Sequence, residues 1–125
     1  MTTADAIIAN ITPFRGPHMD PGTAFEIGFF VALGKPVVCY SQDPKMLAER
    51  VLSWSGQSRC PVSADQRDRD GALIEDFGLT ENLMIEGAMT HHPLGHGIDA
   101  SQVLVCFKGF EPAARALAAY LRALE

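Results

Sequence analysis

The sequence predicts an α/β domain with a doubly wound parallel sheet, and two observations carry that prediction. Residues 6–11 and 36–41 are short apolar runs of the kind buried on both faces in a parallel sheet. Between them, residues 20–36 read Asp-Pro-Gly-Thr-Ala-Phe-Glu-Ile-Gly-Phe-Phe-Val-Ala-Leu-Gly-Lys-Pro, the pattern of a helix joining two such strands. In open sheets of this kind a ligand binds outside the carboxyl ends of the strands, where the loop of residues 12–22 must lie.

Each element has a local reason. Pro21 suits a first helical position, Phe25, Phe29, Ala32 and Leu33 recur at helical spacing, and Gly34 with Pro36 ends the helix. Residues 12–20, Thr-Pro-Phe-Arg-Gly-Pro-His-Met-Asp, cannot extend the strand, because two prolines lack the donors of a ladder. In this loop Phe14 has a face that can stack on a flat ligand, Arg15 can pair with a carboxylate and His18 can donate a proton; each can equally anchor the loop to the fold. A second helix is expected from Asp43 as cap and Pro44 as first residue to about Trp54, with Met46, Leu47, Val51 and Leu52 on its apolar side. Residues 55–71 are polar and end in mixed charges, a pattern read as solvated surface loop.

Order resumes at residue 72, with a turn at Gly78 and a helix capped by Thr80, which puts Asn82 in its first turn. There Asn82 can act as a second cap bonding its own backbone. Residues 91–96, His-His-Pro-Leu-Gly-His, read as a turn because of Pro93 and Gly95, and their histidine spacing matches no standard zinc pattern. Residues 102–107 are the last expected strand, and residues 111–124 form an amphipathic helix with Pro112 first and Ala113, Leu117, Leu121 and Leu124 on the sheet side.

At 125 residues, with no internal repeat or linker, the whole chain 1–125 reads as one domain. The net charge of -5, from 15 acidic and 10 basic side chains, offers no footprint for a phosphate backbone, so nucleic acid is not an expected partner. The apolar run 29–33 is far short of a membrane span and the start lacks a signal-peptide layout, so no membrane partner and a cytoplasmic location are expected. Cys39, Cys60 and Cys106 are odd in number and widely spaced, which points to reduced thiols rather than a disulfide framework or a zinc knuckle. No metal or organic cofactor is implied.

Three segments together resemble a known family. Residues 4–16 (Ala-Asp-Ala-Ile-Ile-Ala-Asn-Ile-Thr-Pro-Phe-Arg-Gly), 20–28 (Asp-Pro-Gly-Thr-Ala-Phe-Glu-Ile-Gly) and 75–85 (Glu-Asp-Phe-Gly-Leu-Thr-Glu-Asn-Leu-Met-Ile) are similar, in family order, to the signature segments of the nucleoside 2-deoxyribosyltransferases. The resemblance implies a flavodoxin-like sheet and base exchange on deoxynucleosides. It makes Glu26 the nucleophile that takes the deoxyribose, Asp20 the group that handles the leaving base, and Asn82 and Met84 the residues that complete the pocket. It also implies a homo-oligomer in which Asn82 reaches a neighbouring subunit's site. The family carries, upstream of the strand matched by residues 6–11, a further strand and helix with a tyrosine and an aspartate that hold the sugar. They are not in this sequence, so either the true start lies before Met1 or the sheet is completed in another way, with residues 6–11 left at an edge that recruits another chain.

The chemistry fits those residues. Displacing a base from C1′ passes through an oxocarbenium-like state, which a carboxylate beneath the sugar stabilises and can trap covalently; Glu26 is that carboxylate. The leaving base needs a proton, for which Asp20 is the candidate, and Gly22 lets the backbone approach the sugar. A helix N-terminus close to Glu26 would favour its ionised form by several tenths of a kcal/mol to about one. Capping explains the same residues without chemistry: Thr23-Ala-Phe-Glu26 spells a capping box, and Asp20 before Pro21 is a good N-cap. The rival activities are hydrolysis of the N-glycosidic bond in nucleosides or their 5′-monophosphates and non-catalytic nucleoside binding.

Overall fold

The computed structural model describes residues 1–56, 66–95 and 107–124, with the backbone alone at 91–95. The elements run β1 (Ile7–Asn10), α1 (Pro21–Ala32), β2 (Val37–Ser41), α2 (Leu47–Trp54), α3 (Leu83–Glu86), β3 (His91–Gly95) and α4 (Phe110–Arg122). The described strands form a parallel sheet in the order β1-β2-β3, with Ile7 opposite Val37 and Asn10 opposite Tyr40.

Helices cover both faces of that sheet, as a doubly wound fold requires. Alternate residues of β2 point opposite ways. Val37 and Cys39 join Ala9, Ile11, Met19, Ile27 and Phe30 in the core under α1. Tyr40 faces the other way and meets Phe110 of α4 edge-on, with ring centroids 6.2 Å apart. The chain enters α4 at Gly109, where a Cβ would lie 2.5 Å from the Tyr40 ring, so this approach of backbone to aromatic ring is open only to glycine. Cys39 is fully buried, and burial pushes its thiol up to about 12, as befits a small core hydrophobe. Cys60 and Cys106 lie outside the described residues.

Several local expectations are corrected. α1 begins and ends where expected, but Ile27 and Phe30 are its buried residues, while Phe25 is 66% exposed and Leu33 is exposed. The helix is apolar nearly all round, so spacing alone could not choose its inner face. α2 starts at Leu47 rather than Pro44: Asp43 caps a turn by accepting from the Lys45 amide at 2.9 Å, and the Met46 amide donates to Glu49 at 3.0 Å. α3 starts at Leu83 with Asn82, not Thr80, as its N-cap. α4 begins one residue before Glu111, with Pro112 still in the first turn, and Leu121 and Leu124 are exposed.

The largest correction is residues 91–95, which form strand β3 and not a turn. Val38 pairs with His91 and Tyr40 with Leu94, so β3 carries one extra residue between two points of register. That bulge lies where Pro93 falls, in a strand with described pairing on one side only, and these are the conditions under which a sheet tolerates proline. Of the expected last strand, residues 102–106 lie outside the described residues, as does 57–65 of the polar loop.

Candidate active site

The loop of residues 12–20 leaves the carboxyl end of β1 and feeds α1, whose first turn is organised by Asp20. Its Oδ1 accepts from the amides of Gly22 at 2.9 Å and Thr23 at 3.2 Å, which makes Asp20 the N-cap. Both bonds use the same oxygen, and Oδ2 is left without a partner among the described residues. Gly22 is fitted to this cap, since a Cβ there would lie 2.9 Å from Asp20 Oδ1.

The capping box expected from Thr23 and Glu26 does not form. With Asp20 as cap, Thr23 is already inside the helix and Glu26 is its sixth residue. Glu26 is exposed and makes no hydrogen bond or ion pair with any described residue. It also lies beyond the first turn, past the reach of the helix N-terminal dipole.

Phe14 is exposed at the outer bend of the loop, with the Arg15 guanidinium 5.1 Å from its ring centre. Arg15 itself sits at φ 57°, a left-handed conformation that is uncommon outside glycine and asparagine. The loop closes on itself through a bond from the Phe14 amide to the His18 carbonyl at 2.9 Å.

The second half of the site lies at α3. Asn82 Oδ1 accepts from the Met84 amide at 3.0 Å, while its Nδ2 donates to Glu75 at 2.9 Å. An amide side chain has two acceptor and two donor positions, so half of each remains open. Met84 is 79% exposed. It borders an open cleft of about 520 Å³ between residues 73–77 and 82–84. Asn82 lines the same cleft, but Asp20 and Glu26 do not border it. α3 packs beside the start of α1, since Ile85 and Met89 lie against the core that holds Met19 and Ile27.

Sequence reasoning missed the group that joins these two halves. Glu81 is only 2% exposed and its carboxylate receives four donors: His18 Nδ1 at 3.0 Å, the Asn82 amide at 3.1 Å, the Met19 amide at 3.1 Å and Arg50 Nη2 at 3.2 Å. Arg50, buried as well, donates to the carbonyls of Pro17 at 2.8 Å, Lys45 at 3.0 Å and Thr80. Beside them buried Glu86 accepts from the Thr80 amide at 2.7 Å, the Thr80 hydroxyl at 2.8 Å and the Glu81 amide at 3.2 Å. Burial alone would raise the Glu81 carboxyl; the His18 bond, the Asn82 and Met19 amides and the Arg50 charge outweigh it and hold it below the usual carboxylate value. The Glu81 bond raises His18 above its ordinary value despite partial burial. The available signal was Arg50, a charge set among Leu47, Ala48, Val51 and Leu52.

A family profile described as nucleoside 2-deoxyribosyltransferase matches residues 1–84, which take in Phe14, Asp20, Gly22, Glu26, Arg50, Glu81, Asn82 and Met84. The chain belongs to that family. An uncharacterised protein of Schizosaccharomyces pombe is 35% identical over 97 residues, covering 70% of this chain and 46% of its own length. A 2-desoxiribosyltransferase from Leishmania mexicana is similar in structure at a TM-score of 0.49 and 32% identity, with 82% of this chain and 57% of that chain covered. The chain thus spans about half the length of the relatives it matches. No described helix is long and apolar enough to cross a membrane.

Proposed function

We propose that this protein exchanges nucleobases on 2′-deoxynucleosides by double displacement, with Glu26 as nucleophile and Asp20 as the proton carrier for the base. The observation that carries the reading is the state of these two carboxylates within the family-matched segment. Glu26 has no structural work among the described residues, and Asp20 caps α1 through one oxygen only. Capping and chemistry are therefore compatible in Asp20, and capping does not account for Glu26.

In the first half-reaction a Glu26 oxygen attacks C1′, the C1′–N bond breaks, and the departing base takes a proton from Asp20. In the second, an incoming base gives its proton to Asp20 as its nitrogen attacks C1′ and releases Glu26. Phe14 supplies a face for the base, and Asn82 and Met84 complete the pocket, Asn82 from a neighbouring subunit. Support for such an assembly is the apolar surface at that place, where Leu73, Phe77, Leu83 and Met84 are all exposed.

A second reading, hydrolysis of the N-glycosidic bond, is favoured by the exposure of Glu26, which lets water reach the intermediate. One experiment separates the two. The protein is incubated with a deoxynucleoside, with and without a second free base, and the products are identified. Base release that depends on the acceptor supports the transferase, free deoxyribose supports the hydrolase, and unchanged nucleoside in both arms refutes catalysis.

A further inference from the structure

The three residues that precede Asp20 are all held by one buried ion pair. Arg50 Nε binds the Pro17 carbonyl, and Glu81 binds the His18 ring and the Met19 amide. The same Glu81 carboxylate receives the amide of Asn82, from a part of the chain about sixty residues away. His18 and Asn82 share Oε1, while Met19 and Arg50 share Oε2. We infer that Glu81, backed by Arg50, is a positioning residue: within one chain it fixes Asp20, in that chain's pocket, relative to Asn82, which reaches a neighbour's pocket.

The donor set explains why a carboxylate stands there. All four groups facing Glu81 donate, and only an ionised carboxylate accepts from four donors at once. A glutamine would turn an NH2 toward two of them, and an apolar residue would leave Arg50 buried and unpaired. Stability alone is a weak reason for such a pair, because apolar replacement of a whole buried ion pair is often neutral. What a matched residue could not replace is the link between two separate backbone amides.

His18 gives the linkage a pH response. Its side chain is 56% exposed, unlike Arg50 and Glu81, so it exchanges protons with solvent without unfolding. The groups that act on it are Glu81, which favours the protonated ring, Glu75, which adds to that, and Arg50, which opposes it. Protonated His18 therefore draws on Glu81 most strongly below 6.5, and this contribution fades as pH rises through its raised value.

The inference rests on the proposed function only in taking Asp20 and Asn82 as site residues, and its test includes a readout independent of turnover. Backbone amide exchange is followed in the full chain and in the Glu81→Gln and His18→Gln variants, with transfer kinetics on the same samples. In Glu81→Gln, the amides of Met19 and Asn82, which donate to that carboxylate, should lose protection together, by on the order of tenfold or more, while α4 is unchanged. kcat should fall by roughly ten- to hundredfold with little change in KM, as for a displaced catalytic group. In His18→Gln, which changes an exposed side chain, the loss of protection at Met19 and Asn82 as pH rises above 6.5 should vanish. Loss of protection at only one of the two segments overturns the inference, as does joint loss with kcat intact. A parent chain without turnover refutes the proposed function, and the exchange data still decide whether Glu81 joins the two segments.

Discussion

Two sets of carboxylates in this molecule differ in almost every physical respect. Glu81 and Glu86 are buried and receive donors from three segments of the chain, residues 18–19, Arg50 and residues 80–82. Glu26 is exposed and partnerless among the described residues, and Asp20 gives one oxygen to a helix cap. A carboxylate whose lone pairs are all occupied by fixed donors holds geometry and is a poor nucleophile. One with open oxygens is available to react. The contrast gives the first set an architectural role and is the support for the proposed chemistry of the second, and each half can be broken separately.

The largest effect should come from Glu26→Ala. Turnover should fall by roughly three orders of magnitude or more, as removal of a nucleophile does elsewhere. Stability should stay within about 0.5 kcal/mol of the parent, because no described contact is lost. Rates and denaturant melts on one sample check this. A variant that keeps more than a tenth of the rate would remove Glu26 from the chemistry.

Arg50→Ala should do the reverse, costing about 3 to 5 kcal/mol by leaving Glu81 as an uncompensated buried charge. Chemical denaturation of parent and variant measures it. A loss below about 1 kcal/mol would mean that water or a rearranged His18 replaces the guanidinium, and that the architectural half of the contrast is overstated.

How far the sequence could be read follows the same division. The start of α1 was legible because Asp20-Pro21 is a local signal, and the α/β alternation because apolar run lengths are local too. β3 was not, because a strand through Pro93 depends on a bulge against β2 that no local pattern announces. The residues proposed to react could be named from a family resemblance, whereas Glu81 and Arg50 could not be paired. They lie 31 residues apart and meet only after α2 and the segment before α3 have folded against the loop.

Asn82 tests whether the two halves of the site come from one chain. Asn82→Ala should cost about 1 kcal/mol, the usual value of a lost N-cap. If Asn82 serves a neighbour, inactive Glu26→Ala and inactive Asn82→Ala chains, unfolded and reassembled together, should regain part of the activity. Verified mixed oligomers that stay inactive would return Asn82 to its own subunit, where it already binds Glu75 and the Met84 amide.

A smaller effect is expected from pH. Glu81 contributes stability above 4.5 that is lost as pH falls through its lowered value, and His18 contributes below 6.5 and loses that contribution as pH rises through its raised value. Stability from this pair should therefore be greatest between those two limits. His18→Gln should flatten the decline on the alkaline side and leave the acid side in place. A parent whose melting point is flat from pH 6 to 8 would show that exposed His18 adds nothing to the buried pair.

Gly22→Ala should change stability little, and it is the most selective cut between capping and chemistry. Alanine gains roughly 0.8 to 1.0 kcal/mol over glycine inside a helix, and less in a first turn. Its Cβ would stand 2.9 Å from Asp20 Oδ1, so the carboxylate must swing away and weaken a cap worth about 0.5 to 2 kcal/mol. These terms oppose one another, and the net change should stay within about 1 kcal/mol. The Asp20 carboxylate nevertheless moves, and a shift of about 1 Å in a proton carrier can lower a rate on the order of a hundredfold. Gly22→Ala should then resemble Asp20→Ala in rate while melting close to the parent. A variant with normal stability and normal rate would show that Asp20 can move freely, leaving it as a cap and passing the proton to another group.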